Sequence, residues 1–197
     1  LLDSEPIKVQ SILSHLVASD NPEFDDYTNE QINLFTEMSD YMIAALGYDV
    51  DRHILNSGGI ERFPNAEFEM VRLGIGLYGI SIDHSPLKNV YTWKTTIAQI
   101  KEVTEGDSVG YNRAWYAKRN SKIATAFVGY ADGLNRKLSN GNWNMKLNGV
   151  DVPIVGNICM DLCMLDVTDV ECNVGDELII FNSQKEIYSM AKSLGTI

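Results

Sequence analysis

The sequence predicts an α/β plus β architecture, in which a strand-and-helix segment precedes a mostly antiparallel β domain. An amphipathic helix lies between two apolar runs in the first half, and a glycine-rich apolar run with one arginine follows them. Short β-branched runs separated by Gly, Asn and Asp turns occupy the second half. Alternating strands and helices favour a parallel sheet, and closely spaced short strands favour a small barrel or sandwich.

The first strand is predicted in the apolar run VQSILSHLVASD, which presents His15 and then becomes polar toward Asp20. A helix is predicted from Thr28 to Leu46. Thr28 with Gln31 three residues later matches a capping box, and Gly47 supplies a C-terminal stop. The apolar face of this helix comprises Ile32, Phe35, Met38, Met42, Ile43 and Leu46.

The second strand is predicted at the start of HILNSGGIERFP, His53 to Pro64, and it ends in a polar, glycine-rich turn. Backbone N–H groups at Gly58 and Gly59, together with the Ser57 hydroxyl, are suited to hold an anion such as phosphate.

A third strand is predicted in MVRLGIGLYG, Met70 to Gly79, where Arg72 and three glycines interrupt an apolar pattern. The guanidinium of Arg72 needs an acceptor opposite its planar fork, and glycines let backbone approach a ligand closely. Taken alone, the run is equally compatible with an arginine that reaches solvent beside bulge glycines.

Ligand groups placed just after successive strands are typical of the C-terminal rim of a (β/α)8 barrel. A complete barrel needs eight strands and typically about 250 residues, so this segment is interpreted as the last strands of a TIM-type barrel within a longer polypeptide. The linker-like residues Asp83, His84, Ser85 and Pro86 place the domain boundary, which gives domains 1–85 and 86–197.

The β domain is predicted from short runs bounded by turn residues, and Lys185 to Leu194 is predicted as a terminal helix. Gly and Asp turns at Glu105–Asp107 and Val174–Asp176 each precede a β-branched or aliphatic run, as in small barrels. The predicted strands are Thr92–Glu102, Lys122–Val128, Asn144–Leu147, Leu162–Asp166 and Glu177–Asn182.

Composition limits the partners. A net charge of −11 and a sequence pI of about 4.6 argue against nucleic acid and anionic membranes, which both require a basic patch. We expect neither a signal peptide nor a membrane span in these residues.

The three cysteines, Cys159, Cys163 and Cys172, form no CxxC pair and have no histidine near them in sequence, so no metal site is expected. Reduced thiols and a cytoplasmic location are expected instead. Cys159 is expected to be reachable by thiol reagents.

At four places the sequence resembles the alanine racemases. The matching segments are Asn56 and Ser57 after a strand, the run Val71 to Gly79, Ser108 to Arg136, and VGNICMDLCMLDVT from Val155 to Thr168. They occur in the family's order and at compatible spacing.

The resemblance implies pyridoxal 5'-phosphate as cofactor, held as a Schiff base by a lysine that has no counterpart in this chain. Arg72 would face the pyridine nitrogen. Ser57, with the backbone of Gly74 and Ile75, would hold the phosphate. Asn56 would orient the site beside Arg72, and His15 would hydrogen-bond to both Arg72 and the catalytic tyrosine.

The resemblance further implies two-base proton transfer between L- and D-alanine, which supplies D-alanine for peptidoglycan. Tyr111 matches the catalytic tyrosine; a phenol of pKa about 10 serves as a base only where positive charge favours phenolate. The backbone of Met160 would bind the substrate carboxylate with Asp161 beside it, and Tyr130 would shape the entry channel. These residues would act across a homodimer. The chain alone is expected to be inactive, because the Schiff-base lysine has no counterpart in it.

Three alternatives stay open at this point. A decarboxylase with the same cofactor would present a carboxylate where this chain presents Arg72. A racemase of another small amino acid, such as serine, would share every motif. A non-catalytic dimerisation or cofactor-binding module is the third, although His15, Arg72, Tyr111 and Met160 occurring together argue against it. The segments also resemble the racemase half of bifunctional chains that carry a Mur-type cell-wall ligase.

Overall fold

A computed structural model describes residues 7–82, 85 and 87–196 of the chain. They form two compact units, Leu1–Val90 and Tyr91–Ile197. The predicted linker residues Asp83, His84 and Pro86 lie outside the described residues. Within the described ranges, no helix is both long and apolar enough to cross a membrane.

The first unit contains a two-stranded parallel sheet. Strand β1 (Ser11–Leu13) pairs with β2 (Asp51–His53), and the long helix α1 (Asp25–Leu46) connects them. A short helix, α2 (Ser57–Arg62), follows β2. The apolar core of the unit comprises Leu16, Phe35, Ile54, Leu55 and Ala66. The strand-helix-strand order is therefore confirmed, and it brings the carboxyl ends of both strands to one edge.

Helix α1 ends as predicted but begins earlier. Gly47 adopts a left-handed conformation with φ of 74° and donates its N–H to Ile43 O, which ends the helix. The predicted capping box is wrong, because Thr28 lies inside the helix and its hydroxyl donates to Phe24 O. The Gln31 side chain instead contacts the backbone of His15 and Val17.

The predicted third strand is also wrong. Residues 70–74 are irregular, and Ile75–Tyr78 form a 3-10 helix that ends at Gly79, with φ of 75°. A Cβ on Gly79 would lie 2.5 Å from Lys88 O, so this position requires glycine. The glycines thus serve a tight turn, and the unit has two strands among its described residues.

The second unit is a closed six-stranded antiparallel barrel. Its strands are β3 (Trp93–Val103), β6 (Ser121–Ala126), β7 (Asn144–Leu147), β8 (Val150–Val155), β9 (Cys163–Asp166) and β10 (Glu177–Phe181). Around the barrel they lie in the order β10-β3-β6-β9-β8-β7. A two-stranded hairpin, β4 (Ser108–Val109) and β5 (Trp115–Tyr116), precedes β6, and helix α3 (Gln184–Leu194) follows β10.

The barrel interior is filled by aliphatic side chains from alternate strand positions. Leu165 of β9 pairs with Ala124 of β6 on one side and Ile154 of β8 on the other, and all three are fully buried. The predicted antiparallel β domain and terminal helix are confirmed. Strand β8 is not among the predicted strands, and Pro153 lies inside it.

An ion-pair network centred on Arg52 links β2 to helix α1 in the first unit. The Arg52 guanidinium contacts Glu69 at 3.0 Å and Asp40 at 2.8 Å, and its plane lies over the Phe68 ring. Hydrogen bonding from Arg52 lowers the pKa of Glu69 from its ordinary value of 4.5 to about 2.

Because the folded pKa of Glu69 lies below the unfolded value, its stabilisation is complete above pH 4.5 and is lost as the pH falls toward about 2. The Glu69 side chain is 42% exposed, so we expect Glu69→Gln to remove only about 0.5–1 kcal/mol of stability at neutral pH. Urea unfolding followed from pH 7 to pH 2 measures this. Glu67→Gln, at an exposed position two residues away, is the control; the same loss in both variants would contradict the assignment.

Candidate active site

Arg72 joins the carboxyl ends of the two strands in the first unit. Its NH1 group contacts His53 Nδ1 at 2.6 Å and donates to His53 O at 2.9 Å. Its NH2 group donates to Ser14 O at 2.6 Å and contacts His15 Nδ1 at 3.2 Å and Ile54 O at 3.3 Å. The structure therefore places His15 beside Arg72, whereas the bond from His15 to the catalytic tyrosine stays a prediction.

The Arg72 contacts fix which ring nitrogen of each histidine accepts. A guanidinium only donates hydrogen bonds, so Nδ1 of His15 and of His53 is the acceptor in these contacts. The two terminal nitrogens of Arg72 are occupied by these acceptors. Among the described residues no partner lies against Arg72 Nε–H, which leaves one strong donor for a ligand.

His53 is a functional candidate that the sequence analysis missed. It is only 7% exposed and holds the Arg72 guanidinium with both its ring and its carbonyl. The sequence pattern predicts a strand that begins at His53, whereas the structure shows that His53 is the last residue of β2 and so reaches Arg72.

Ser57 organises a cavity of about 460 Å³ that is lined by residues following β1, β2 and the 70–74 segment. Its hydroxyl oxygen accepts N–H groups from Gly74 at 2.9 Å and from Gly76 at 3.1 Å. The hydroxyl proton is then available to an acceptor in the cavity. Because Gly74 N–H is used in this way, Ile75 N–H is the remaining backbone donor among the groups expected to hold phosphate.

The segment predicted as a glycine-rich turn is the first turn of helix α2. Asn56 caps that helix by accepting Gly59 N–H at 2.9 Å. It also accepts the Ser19 hydroxyl at 2.7 Å and donates to Leu16 O at 3.1 Å. Asn56 therefore ties the loop after β1 to the start of α2 and so holds one wall of the cavity in place.

Tyr111 lies in the second unit on a turn between β4 and β5. Its side chain is 71% exposed, and its backbone carbonyl accepts a hydrogen bond from Asn157 Nδ2 at 3.0 Å. Tyr111, Cys159, Gly110 and Met164 line one cavity of about 410 Å³ on this unit. The structure thus brings the predicted tyrosine next to the Cys159 segment.

Tyr130 and Met160 also lie together. Tyr130 N–H donates to Cys159 O at 3.0 Å, and Ala131 N–H donates to Met160 O at 2.9 Å. Gly129 permits this approach, since a Cβ there would lie 2.2 Å from Met160 O. Met160 and Asp161 form the exposed tip of a turn closed by the bond from Cys159 N–H to Leu162 O.

The cysteines on this unit are in apolar surroundings. Burial raises the pKa of Cys159 above its ordinary value and raises the pKa of Cys163 to about 12. Few thiolates form under these conditions, which lowers reactivity. Accessibility of Cys159 to thiol reagents stays a prediction. No group of three or more potential metal-ligating side chains occurs in the part of the chain that the structure describes.

Both units match profiles of known protein families. Residues 1–82 match the family profile "Alanine racemase, N-terminal domain", and residues 90–197 match "Alanine racemase, C-terminal domain". The chain belongs to the alanine racemase family. The first match is to the N-terminal domain as such and does not single out the last strands of a barrel.

Among curated alanine racemases, "Alanine racemase 2" of Caldanaerobacter subterraneus subsp. tengcongensis is 44% identical to this chain over 204 residues. The alignment covers 98% of this chain and 52% of that protein. The chain spans about half the length of the curated alanine racemases it matches.

Solved alanine racemase structures have the same fold. The Clostridium difficile enzyme in complex with cycloserine gives a TM-score of 0.87 at 32% identity, covering 98% of this chain and 53% of that one. The Bartonella henselae enzyme with covalently bound pyridoxal phosphate gives a TM-score of 0.79 at 31% identity. The alignment covers 96% of this chain and 52% of that one.

The hydrogen bonds of Arg72 predict that substitutions at His53 and at His15 lower the free energy of unfolding by unequal amounts. His53→Leu leaves a half-buried guanidinium N–H without an acceptor, and we expect the free energy of unfolding to fall by about 1–3 kcal/mol. His53→Asn restores an acceptor and should cost less. His15→Leu is the matched control, because His15 is exposed and water can replace its nitrogen. Urea unfolding measures the differences; equal costs at both histidines would contradict this account.

Proposed function

We propose that the protein containing this chain is a pyridoxal 5'-phosphate-dependent alanine racemase, an isomerase that interconverts L- and D-alanine. The observation that carries the proposal is Arg72, whose terminal nitrogens are committed to protein acceptors while Nε–H remains to donate. The matched relatives are named alanine racemases, and the Bartonella henselae enzyme contains covalently bound pyridoxal phosphate.

The cavity of the first unit fits the phosphate and the ring of this cofactor. Ser57 presents a hydroxyl proton and Ile75 presents a backbone N–H, and Gly58 and Gly74 line the same cavity. Asn56 holds the wall of this cavity. Hydrogen bonds to an ionised phosphate are stronger than those between neutral groups.

Pyridoxal phosphate, when bound, supplies an electron sink for the carbon that loses its proton. Arg72 would donate through Nε to the ring nitrogen and keep its own proton, because a guanidinium is charged at any working pH. The ring nitrogen would then stay unprotonated, which limits delocalisation into the ring. An enzyme that must return the proton benefits from this limit, and a decarboxylase-type carboxylate is not present at this position.

Tyr111 would remove or return the proton on one face of the substrate, and His15 would link it to Arg72. A second base is required on the other face, and no residue of this chain is assigned to it. Met160 would present its backbone N–H to the substrate carboxylate with Asp161 beside it, while Tyr130 would shape access. Among the described residues, Met160 N–H has no acceptor, which supports this role.

The proposal includes the family's assembly. The first unit would be the last part of a (β/α)8 barrel, and Tyr111, Tyr130 and Met160 would complete the site of a second copy in a homodimer. Their exposure on the second unit supports this arrangement. The D-alanine would serve peptidoglycan synthesis in the cytoplasm, where the three free thiols persist.

The decisive experiment measures racemisation by the full-length protein loaded with pyridoxal phosphate. We expect alanine to be racemised faster than serine. Tyr111→Phe should lower kcat by about 10²–10⁴-fold, since general acid-base catalysis contributes this much. Tyr116→Phe, five residues away in the same unit, is the matched control and should retain activity.

Solvent deuterium exchange then tests the assignment to one face. Tyr111→Phe should abolish exchange from one enantiomer of alanine while exchange from the other persists. Equal loss from both enantiomers would contradict the role of Tyr111, and absence of racemisation in the unmodified protein would contradict the proposed function.

The cofactor cavity gives a separate prediction that needs no turnover. Ser57→Ala should weaken binding of pyridoxal phosphate by about tenfold or more, because a hydrogen bond to a charged group is lost. Binding of pyridoxal, which lacks the phosphate, should change little. Fluorescence titration of the full-length protein with both ligands measures this, and an equal decrease for both would mean that Ser57 does not contact the phosphate.

A further inference from the structure

The turn that carries Tyr111 has an unusual backbone. Gly110 has φ of 78°, Asn112 has φ of 59° and Arg113 has φ of 49°, so three of four consecutive residues are in the left-handed region. For residues with a Cβ, this conformation costs roughly 1–2 kcal/mol each. Such a turn persists only where surrounding contacts determine it.

The hairpin itself supplies few of these contacts. Strands β4 and β5 pair over only two positions, Ser108 with Tyr116 and Val109 with Trp115. Arg113 Nε donates to Ser108 Oγ at 3.0 Å, which closes the turn on its own strand. None of these bonds joins the turn to the barrel wall.

Asn157 makes that connection. It follows β8, and its Nδ2 donates to Tyr111 O at 3.0 Å. Its Oδ1 accepts from Asn140 Nδ2 at 3.2 Å, while Asn140 N–H is bound to Gly156 O at 3.3 Å. Both halves of the Asn157 amide are therefore oriented by partners, and the donor half points at the carbonyl of Tyr111.

The backbones of the two segments touch, which gives an independent indication of tight coupling. A Cβ on Gly156, which has φ of 68°, would lie 2.8 Å from Val109 O. A Cβ on Gly110 would lie 3.3 Å from Asn157 N and 2.9 Å from Met164 Cε. The turn is thus seated directly on the 156–157 segment with no space for a side chain between them.

We propose that the Asn140–Asn157 amide pair is a positioning device for Tyr111, acting through the Tyr111 carbonyl. This inference rests on the proposed function. The Tyr111 side chain is exposed and has no hydrogen-bond partner among the described residues, so the protein controls its placement through the backbone. A displacement of about 1 Å at a reacting group can lower a rate by about 10²-fold.

The substitution Asn157→Asp isolates this contact. Aspartate keeps the size of the side chain and still accepts from Asn140, but it cannot donate to Tyr111 O and places negative charge beside that oxygen. Asn148→Asp is the matched control, because Asn148 Nδ2 donates to Glu171 O at 3.2 Å in the same unit. Both variants lose one amide-to-carbonyl bond.

The first readout does not depend on activity. Hydrogen-deuterium exchange with mass spectrometry, applied to the full-length protein, should show about fivefold or faster exchange in a peptide covering residues 110–114 of Asn157→Asp. The same peptide should be unchanged in Asn148→Asp. Unchanged exchange in Asn157→Asp would overturn the proposal, as would an equal acceleration across the whole barrel.

The second readout distinguishes positioning from general damage. In Asn157→Asp, kcat should fall by about tenfold, and the isotope effect of α-deuterated alanine should rise only for the enantiomer from which Tyr111 removes the proton. Equal isotope effects for both enantiomers would overturn the proposal. If the unmodified protein does not racemise alanine, the proposed function fails, and the exchange readout still decides whether Asn157 anchors the turn.

Discussion

The contacts of Arg72 are the constraint on which the first unit depends. One guanidinium binds the carbonyls of Ser14, His53 and Ile54 and the rings of His15 and His53, which lie at the ends of two strands. Those strands pair over only three positions. The positively charged Arg72 side chain therefore holds together the carboxyl-end edge of a very short sheet. The same side chain is available to bind a ligand.

The second unit is held together in a different way. Its six strands close into a barrel, so the wall pairs its own edges and the interior is packed with aliphatic side chains. Functional candidates lie on loops and turns mounted on this wall, including Tyr111, Tyr130 and Met160. A rigid wall with variable turns permits precise placement of exposed side chains.

The sequence predicted the elements whose signal is local. Helix α1, the C-terminal helix and most barrel strands follow from apolar periodicity and turn residues, and the Gly47 stop was identified correctly. The sequence predictions fail where contacts between residues distant in sequence determine the local structure. The run Met70 to Gly79 has strand composition, but its glycines form a tight turn against Ser57 and Lys88. Thr28 lies within α1 because the helix begins three residues earlier, at Asp25.

The order of strands around the barrel has a consequence for synthesis. Strand β10 lies between β3 and β7, with Glu177 opposite Thr96 and Leu178 opposite Leu147, so the last of the six barrel strands in chain order is the one that closes the ring. Contacts between residues this distant in sequence slow folding. Until Phe181 has left the ribosome, β3 and β7 expose unpaired edges, and the nascent chain therefore depends on closing the ring before those edges meet a neighbouring chain.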